Sequence, residues 1–224
     1  MKQYLLHLLD ALKTFGFLQR KKPATPIADL ATLEEFIITR AAFIAQKTMY
    51  GYVQTRMGLN YPIRLQDKDF AQSMRIAKMH VYAACASDLV IWCIAQTIAD
   101  LNLSKPQSDR LAEQVYCNAI DAHLEHAPTE TWAENAKANF TKRLLGTQWQ
   151  GNALSPENFT LSPKALVEWS PIEEVLKKRD ASIVQNSIKF AWMEVRESFL
   201  KRLKPEALGT DLRQRGMIKV KAEA

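Results

Sequence analysis

The sequence predicts an all-α protein: a single domain of about seven helices with a long central helix pair, preceded by an N-terminal amphipathic helix. Three observations predict it. No run of the 224 residues sustains period-two alternation of apolar and polar residues. Long stretches instead repeat apolar residues at i, i+3, i+4 and i+7. Seven Gly is about half the usual share, which disfavours a turn-rich all-β fold.

Residues 1–22 form the first element. Tyr4, Leu5, Leu8, Leu12 and Phe15 fall on one face of a helix, with Lys2, Gln3, His7, Asp10 and Lys13 on the other. The segment ends in the basic cluster Arg20, Lys21 and Lys22, and Pro23 and Pro26 open a linker over 23–31. Such a helix can lie on an anionic membrane surface, dock on a partner protein, or fold back onto its own domain. Those eight apolar and basic positions, Tyr4, Leu5, Leu8, Leu12, Phe15, Arg20, Lys21 and Lys22, are the candidate contact residues.

The helical domain is expected over 32–204. Thr32 and Glu35 have capping-box spacing, which starts a helix reaching Met57, with Gly58 and Pro62 behind it. Apolar residues occupy nearly every direction around its axis, as in a mostly buried helix. A second helix is expected over 67–101, a third over 108–126 and a fourth over 131–145. The stretch 146–163 is looser, and Ser162-Pro163 and Ser170-Pro171 have the form of N-cap and N1 steps of short helices. A last long helix, 180–204, repeats Val184, Ile188, Ala191, Val195 and Phe199 on one face. Pro205 should stop it, leaving 205–224 as a polar tail. The five Trp, scattered one per element, read as core plugs.

Charge narrows the function classes. The net +6 resides in the two ends: residues 1–22 carry five Lys/Arg against one Asp, and residues 196–224 carry eight against four acids. Residues 23–195 hold 17 bases and 19 acids, so no basic stripe is expected across the body and nucleic acid is an unfavoured partner. Cys85, Cys93 and Cys117 show no CxxC spacing, and reduced thiols in a cytoplasmic protein are the default. The apolar run from Met79 to Ala95 contains His80, Ser87 and Asp88, which argues for a core helix over an integral membrane span.

The chemical motifs are sparse. No G-x-S-x-G, P-loop, G-x-G-x-x-G, H-E-x-x-H or Glu-x-x-His is present, so no catalytic residue, metal or cofactor is assigned. Asp121, His123, Glu125 and His126 are ligand types, and Asp121 and Glu125 share a face at i,i+4 that a divalent ion could bridge, but no third and fourth ligand is evident and the cluster reads as a solvated helix end. Asp88 stands on the apolar face of the second helix with Met74, Val81, Trp92 and Ala95, so it must be neutralised or paired. Arg40, among Phe36, Ile37, Phe43 and Ile44, is the expected structural partner. Tyr50, Arg56, His80 and Asp88 are the residues of a possible pocket. Gly51, inside the first helix, is expected to allow close packing on the second.

The stretch Thr39–Lys47 through Tyr50-Gly51-Tyr52, Thr55-Arg56-Met57-Gly58 and Tyr61-Pro62, with Ser187–Trp192 and Val195-Arg196-Glu197, resembles a little-characterised bacterial all-helical family. Some of its members are loosely labelled "esterase". A weaker similarity, through Tyr50-Gly51, Met79–Tyr82 and Leu111–Gln114, is to the ubiquinol–cytochrome c chaperone family. The second resemblance implies a helical assembly factor working at a membrane. The expected function is therefore a non-enzymatic, cytoplasmic, chaperone-like adaptor that binds a protein and acts as a peripheral membrane protein. The alternatives are a small hydrolase with a site near Asp88 and His80, and an RNA- or ribosome-associated protein.

Overall fold

The computed structural model describes residues 25–218 except Asn102. The segment 1–24, which carries Tyr4, Leu5, Leu8, Leu12, Phe15, Arg20, Lys21 and Lys22, lies outside the described residues. Seven helices of nine or more residues are present among those described: α1 (Leu30–Met57), α2 (Lys68–Leu101), α3 (Lys105–Asp121), α4 (Trp132–Leu145), α5 (Leu161–Trp169), α6 (Glu174–Arg202) and α7 (Pro205–Gln214). A single helical turn, Tyr61–Arg64, joins α1 to α2. The all-α single domain stands as the sequence predicts.

The core is built around α2. From Met79 to Ala95 every residue except His80, Ala83 and Ala84 is buried. This helix is long and apolar enough to cross a membrane, but 83% of the qualifying stretch is buried inside the fold. It packs against α1, α3, α5 and α7. The first helix is less central than its composition suggests. Its buried residues, from Leu30 and Leu33 to Met49 and Val53, keep to one face, while Ile38, Ala42 and Phe43 are only half-buried.

Aromatic rings link the layers. Phe199 of α6 lies 5.4 Å from Phe36 of α1 and 5.5 Å from Trp92 of α2 between ring centroids. Phe159, just before α5, extends this chain to Trp192 at 4.9 Å. Four of the five Trp are buried as core residues, but Trp169 is 37% exposed and is not a core plug.

Several boundaries differ from expectation for identifiable reasons. The capping box of α1 is formed by Asp29 and Thr32, three residues before Thr32 and Glu35, so Leu30 and Leu33 enter the helix and the core. The Leu30 N–H donates to Asp211 of α7 at 2.9 Å, which fixes the early start. Residues 25–31 are not a free linker: Ile27 is fully buried, donates to the Arg202 carbonyl and accepts from the Lys204 N–H, both at 2.9 Å. Pro205 does end α6, but it also occupies the first turn of α7, where a missing N–H costs nothing. The expected tail therefore contains a packed helix with Leu208, Gly209 and Leu212 buried. Ser162-Pro163 lies inside the first turn of α5, and Ser170-Pro171 follows its end without starting α6.

Gly51 does not pack on α2. It is exposed, and a Cβ built there meets nothing within 4 Å. Gly58 has a structural reason, since φ of +54° terminates α1 in a conformation costly for other residues. Gly51→Ala is expected to raise stability by up to about 1 kcal/mol, because Ala is favoured in a helix interior and no clash opposes it. Urea unfolding of the two chains checks this, with an unchanged m-value.

Candidate functional site

Asp88 is fully buried on α2 and is paired, with Arg143 of α4 in place of Arg40. The Arg143 Nη1 lies 2.8 Å from Asp88 Oδ1 and donates to Ser87 Oγ at 2.8 Å, while its other terminal nitrogen donates to the Asn158 carbonyl at 3.0 Å. Arg40 instead lies over the Phe36 ring of its own helix at 5.9 Å. The ion pair expected between Arg40 and Asp88 is not formed; Arg143 takes the place of Arg40.

The carboxylate also serves the start of α5. The Ser162 N–H and Oγ–H each donate to Asp88 Oδ2 at 2.7 Å, and the Leu161 N–H donates to Oδ1 at 3.3 Å. Trp192 Nε1 of α6 then donates to Ser162 Oγ at 3.0 Å. Thr160 at the N-cap makes no side-chain cap bond, so Asp88 supplies from α2 the acceptor that a local cap usually gives. Burial pushes the Asp88 pKa up, and Arg143 and Ser162 oppose that shift. The arrangement joins α2, α4, α5 and α6 through one satisfied polar cluster, and its chemistry is structural.

His80, two turns earlier on α2, opens onto a cavity of about 440 Å³ lined by Ser87, Tyr116, Trp132, Phe140, Lys164 and Trp169 among others. Its ring stacks flat on Trp169, with centroids 3.4 Å apart and planes 3° from parallel. Among the described residues, the side-chain hydrogen bonds of Ser87 and Ser162 run to Arg143, Asp88 and Trp192 and none to a histidine. No serine–histidine pair of the kind that activates a nucleophile is formed there.

Burial lowers the His80 pKa. The unfolded chain then binds a proton near pH 6.5 that the folded chain resists, so this contribution to stability is present above that pH and is lost as pH falls. The melting temperature is expected to drop between pH 7.5 and 5.5, and His80→Gln to flatten that slope.

The four residues of the expected pocket separate into two places. His80 lines the cavity and Asp88 lies buried beside it. Arg56 instead pairs with the buried Asp180 of α6, which also accepts from the Tyr52 hydroxyl at 3.0 Å. Tyr50 is half-buried on α1. The Arg56–Asp180 pair ties the end of α1 to the beginning of α6. Asp121 is occupied by Lys137 at 2.6 Å, and no cluster of three or more metal-ligand residues occurs among the described residues.

The feature that sequence reasoning missed is the surface between α1 and α6. A groove of about 550 Å³ runs there, floored by Thr48, Gly51 and Thr55 on one side and walled by Ile183, Ser187 and Phe190 on the other. Ile183 is 72% and Phe190 70% exposed, and Val175, Met193 and Leu200 continue the exposed apolar face of α6. At 100° per residue these five fall within about 100° of arc, which is one stripe. The repeat of Val184, Ile188, Val195 and Phe199 that marks the core face is legible in the sequence; the second apolar stripe on the opposite side of the helix was the available signal.

Comparisons of the chain with protein-family models, with curated proteins and with solved structures find no match.

Proposed function

We propose that this protein is a non-enzymatic binding protein that receives an amphipathic helix of a partner protein in the α1–α6 groove. In this reading it acts as an assembly factor or adaptor at the cytoplasmic face of a membrane. The observation that carries it is the exposed apolar wall of α6, Ile183 and Phe190, in one groove with the exposed Gly51. An exposed helical glycine with no neighbour costs about 1 kcal/mol relative to Ala and gives the domain itself nothing. It gives an incoming helix room to approach the α1 backbone. The groove from Ile183 to Glu194 takes in twelve residues of α6, about 17 Å from first to last, or three turns of an incoming helix. Helix-in-groove recognition uses anchors at i, i+3, i+4 and i+7 over such a length. The membrane part of the reading rests on the resemblance to respiratory-complex chaperones and on the basic amphipathic pattern of residues 1–22.

A photo-crosslinking amino acid at Phe190, introduced in the native cell, is expected to give one discrete protein adduct. The same group at the exposed Lys142 of α4 is expected to give none. With the adduct identified and purified, Phe190→Asp should weaken its binding at least tenfold while leaving the melting temperature unchanged. Equal adducts at both positions, or undiminished binding by Phe190→Asp, reject the groove as the binding site.

A further inference from the structure

We infer that the cavity between α4 and α5 binds an aromatic α-amino acid, at a site separate from the α1–α6 groove. The space has a cause in the sequence. α4 packs on α3, whereas α5 packs on α2 and α6. Where α2, α4 and α5 line the gap they carry Ala83, Ala84, Ala136 and Ala165. Side chains of one carbon leave about 440 Å³ there, within the roughly 300–1,000 Å³ of small-molecule sites.

Rings supply the walls. The stack of His80 on Trp169 joins α2 to α5 on one side. On the other, Tyr116 of α3 stacks on Phe140 of α4, with centroids 4.0 Å apart and planes 12° from parallel. Trp132 adds a fifth ring to the lining. Walls of this kind suit a flat apolar body, which gains from ring contact beyond its burial.

The polar groups specify the rest of the ligand. Lys164 and Glu168 both line the cavity from exposed positions on α5, one turn and about 6 Å apart along the axis. Among the described residues neither takes part in an ion pair. An ammonium and a carboxylate on one carbon match those two charges, the carboxylate meeting Lys164 and the ammonium meeting Glu168. Burial lowers the His80 pKa, so at pH 7 that ring is neutral and the lining has no net charge. A zwitterion suits such a lining better than a bare acid or a bare amine. Two buried donors of the lining also lack acceptors among the described residues. Trp132 Nε1–H has no partner, and the Ser87 hydroxyl accepts from Arg143 but donates to no group. Folded proteins seldom leave such donors unmet, and a ligand bearing oxygen offers what the fold does not.

Calorimetric titration of the full-length protein tests the assignment. L-Phenylalanine is expected to bind at one site per chain, at least tenfold more tightly than phenylpropionate, which lacks the ammonium, or phenethylamine, which lacks the carboxylate. Glu168→Gln should weaken L-phenylalanine at least fivefold and leave phenylpropionate unchanged. Lys164→Gln should weaken L-phenylalanine at least fivefold and leave phenethylamine unchanged. Ala136→Leu, which fills the space, should abolish binding without lowering the melting temperature. In proton–nitrogen spectra the Trp132 indole N–H should shift on titration. The Trp149 indole, bonded to Asp109 at 2.8 Å outside the cavity, should stay in place. Absence of saturable binding by L-phenylalanine, L-tyrosine and L-tryptophan at millimolar concentration overturns the proposal. So does equal affinity for L-phenylalanine and phenylpropionate, or binding that neither the Lys164 nor the Glu168 substitution weakens. A higher melting temperature in Ala136→Leu, with no amino acid bound by the wild-type chain, would mark the cavity as a gap in packing only.

Discussion

Replacing Arg143 by methionine is expected to cost about 3–5 kcal/mol of stability at pH 7, a large share of the 5–15 kcal/mol typical of a domain. The reason lies in what remains. Asp88 stays fully buried, still accepting from Ser162 and Leu161, but without the cation 2.8 Å away that balances it. Arg143→Met also releases Ser87 Oγ and the Asn158 carbonyl, so the loop before α5 loses a tie. The variant should show a distinctive pH dependence. Burial already pushes the Asp88 pKa up, and removing Arg143 removes an opposing influence. The folded variant then holds a proton that the unfolded chain has released, so its stability falls as pH rises above about 4. Denaturant unfolding of both chains at pH 5 and pH 8 measures this: the gap between them should widen at the higher pH. Asp88→Asn in the same background should narrow it. A pH-independent gap would mean that Asp88 is not the group left exposed to the loss.

Phe199→Ala should be comparably damaging, at about 3–5 kcal/mol. The ring is fully buried at the junction of α1, α2 and α6, against the rings of Phe36 and Trp92. The informative control is nine residues away. Phe190 is 70% exposed on the same helix, and Phe190→Ala should change stability by no more than about 0.5 kcal/mol. Thermal unfolding of the two variants separates a ring that holds the domain together from a ring available to something outside it. A loss of several kcal/mol on Phe190→Ala would show that the groove wall is structural.

The sequence showed the helices far better than it showed their partners. Period and punctuation placed α2 within one residue of its observed start, and α4 likewise, because a long apolar stripe ends sharply at polar or Gly-containing turns. Pro205 misled because the same residue ends one helix and begins another. Which reading applies depends on whether Leu208 and Leu212 find a surface, and that is a tertiary fact. The partner of Asp88 was sought on the neighbouring helix, where Arg40 looked enclosed. Yet Arg143 falls between Trp132, Ala136 and Phe140 on the apolar side of α4, and this signal was present in the sequence. The groove was hidden for a different reason. At 100° per residue Ile183 and Phe190 lie well over 100° from the centre of the core face of α6, so the sequence marks a separate apolar stripe, and only packing shows that it stays exposed.

The bridge between Ile27 and Leu203 also bears on how the chain is made. It joins positions near opposite ends of the described domain, and the Asp211 contact to the start of α1 lies further along still. A growing polypeptide can form α1 and α2 as helices, but the first turn of α1 meets its fixed neighbours only after the last helix has left the ribosome. Contacts of such long sequence separation slow folding and leave apolar surface uncovered in the interval. Locking of the domain therefore waits for α7, and until α7 docks the first turn of α1 lacks the neighbours that fix it.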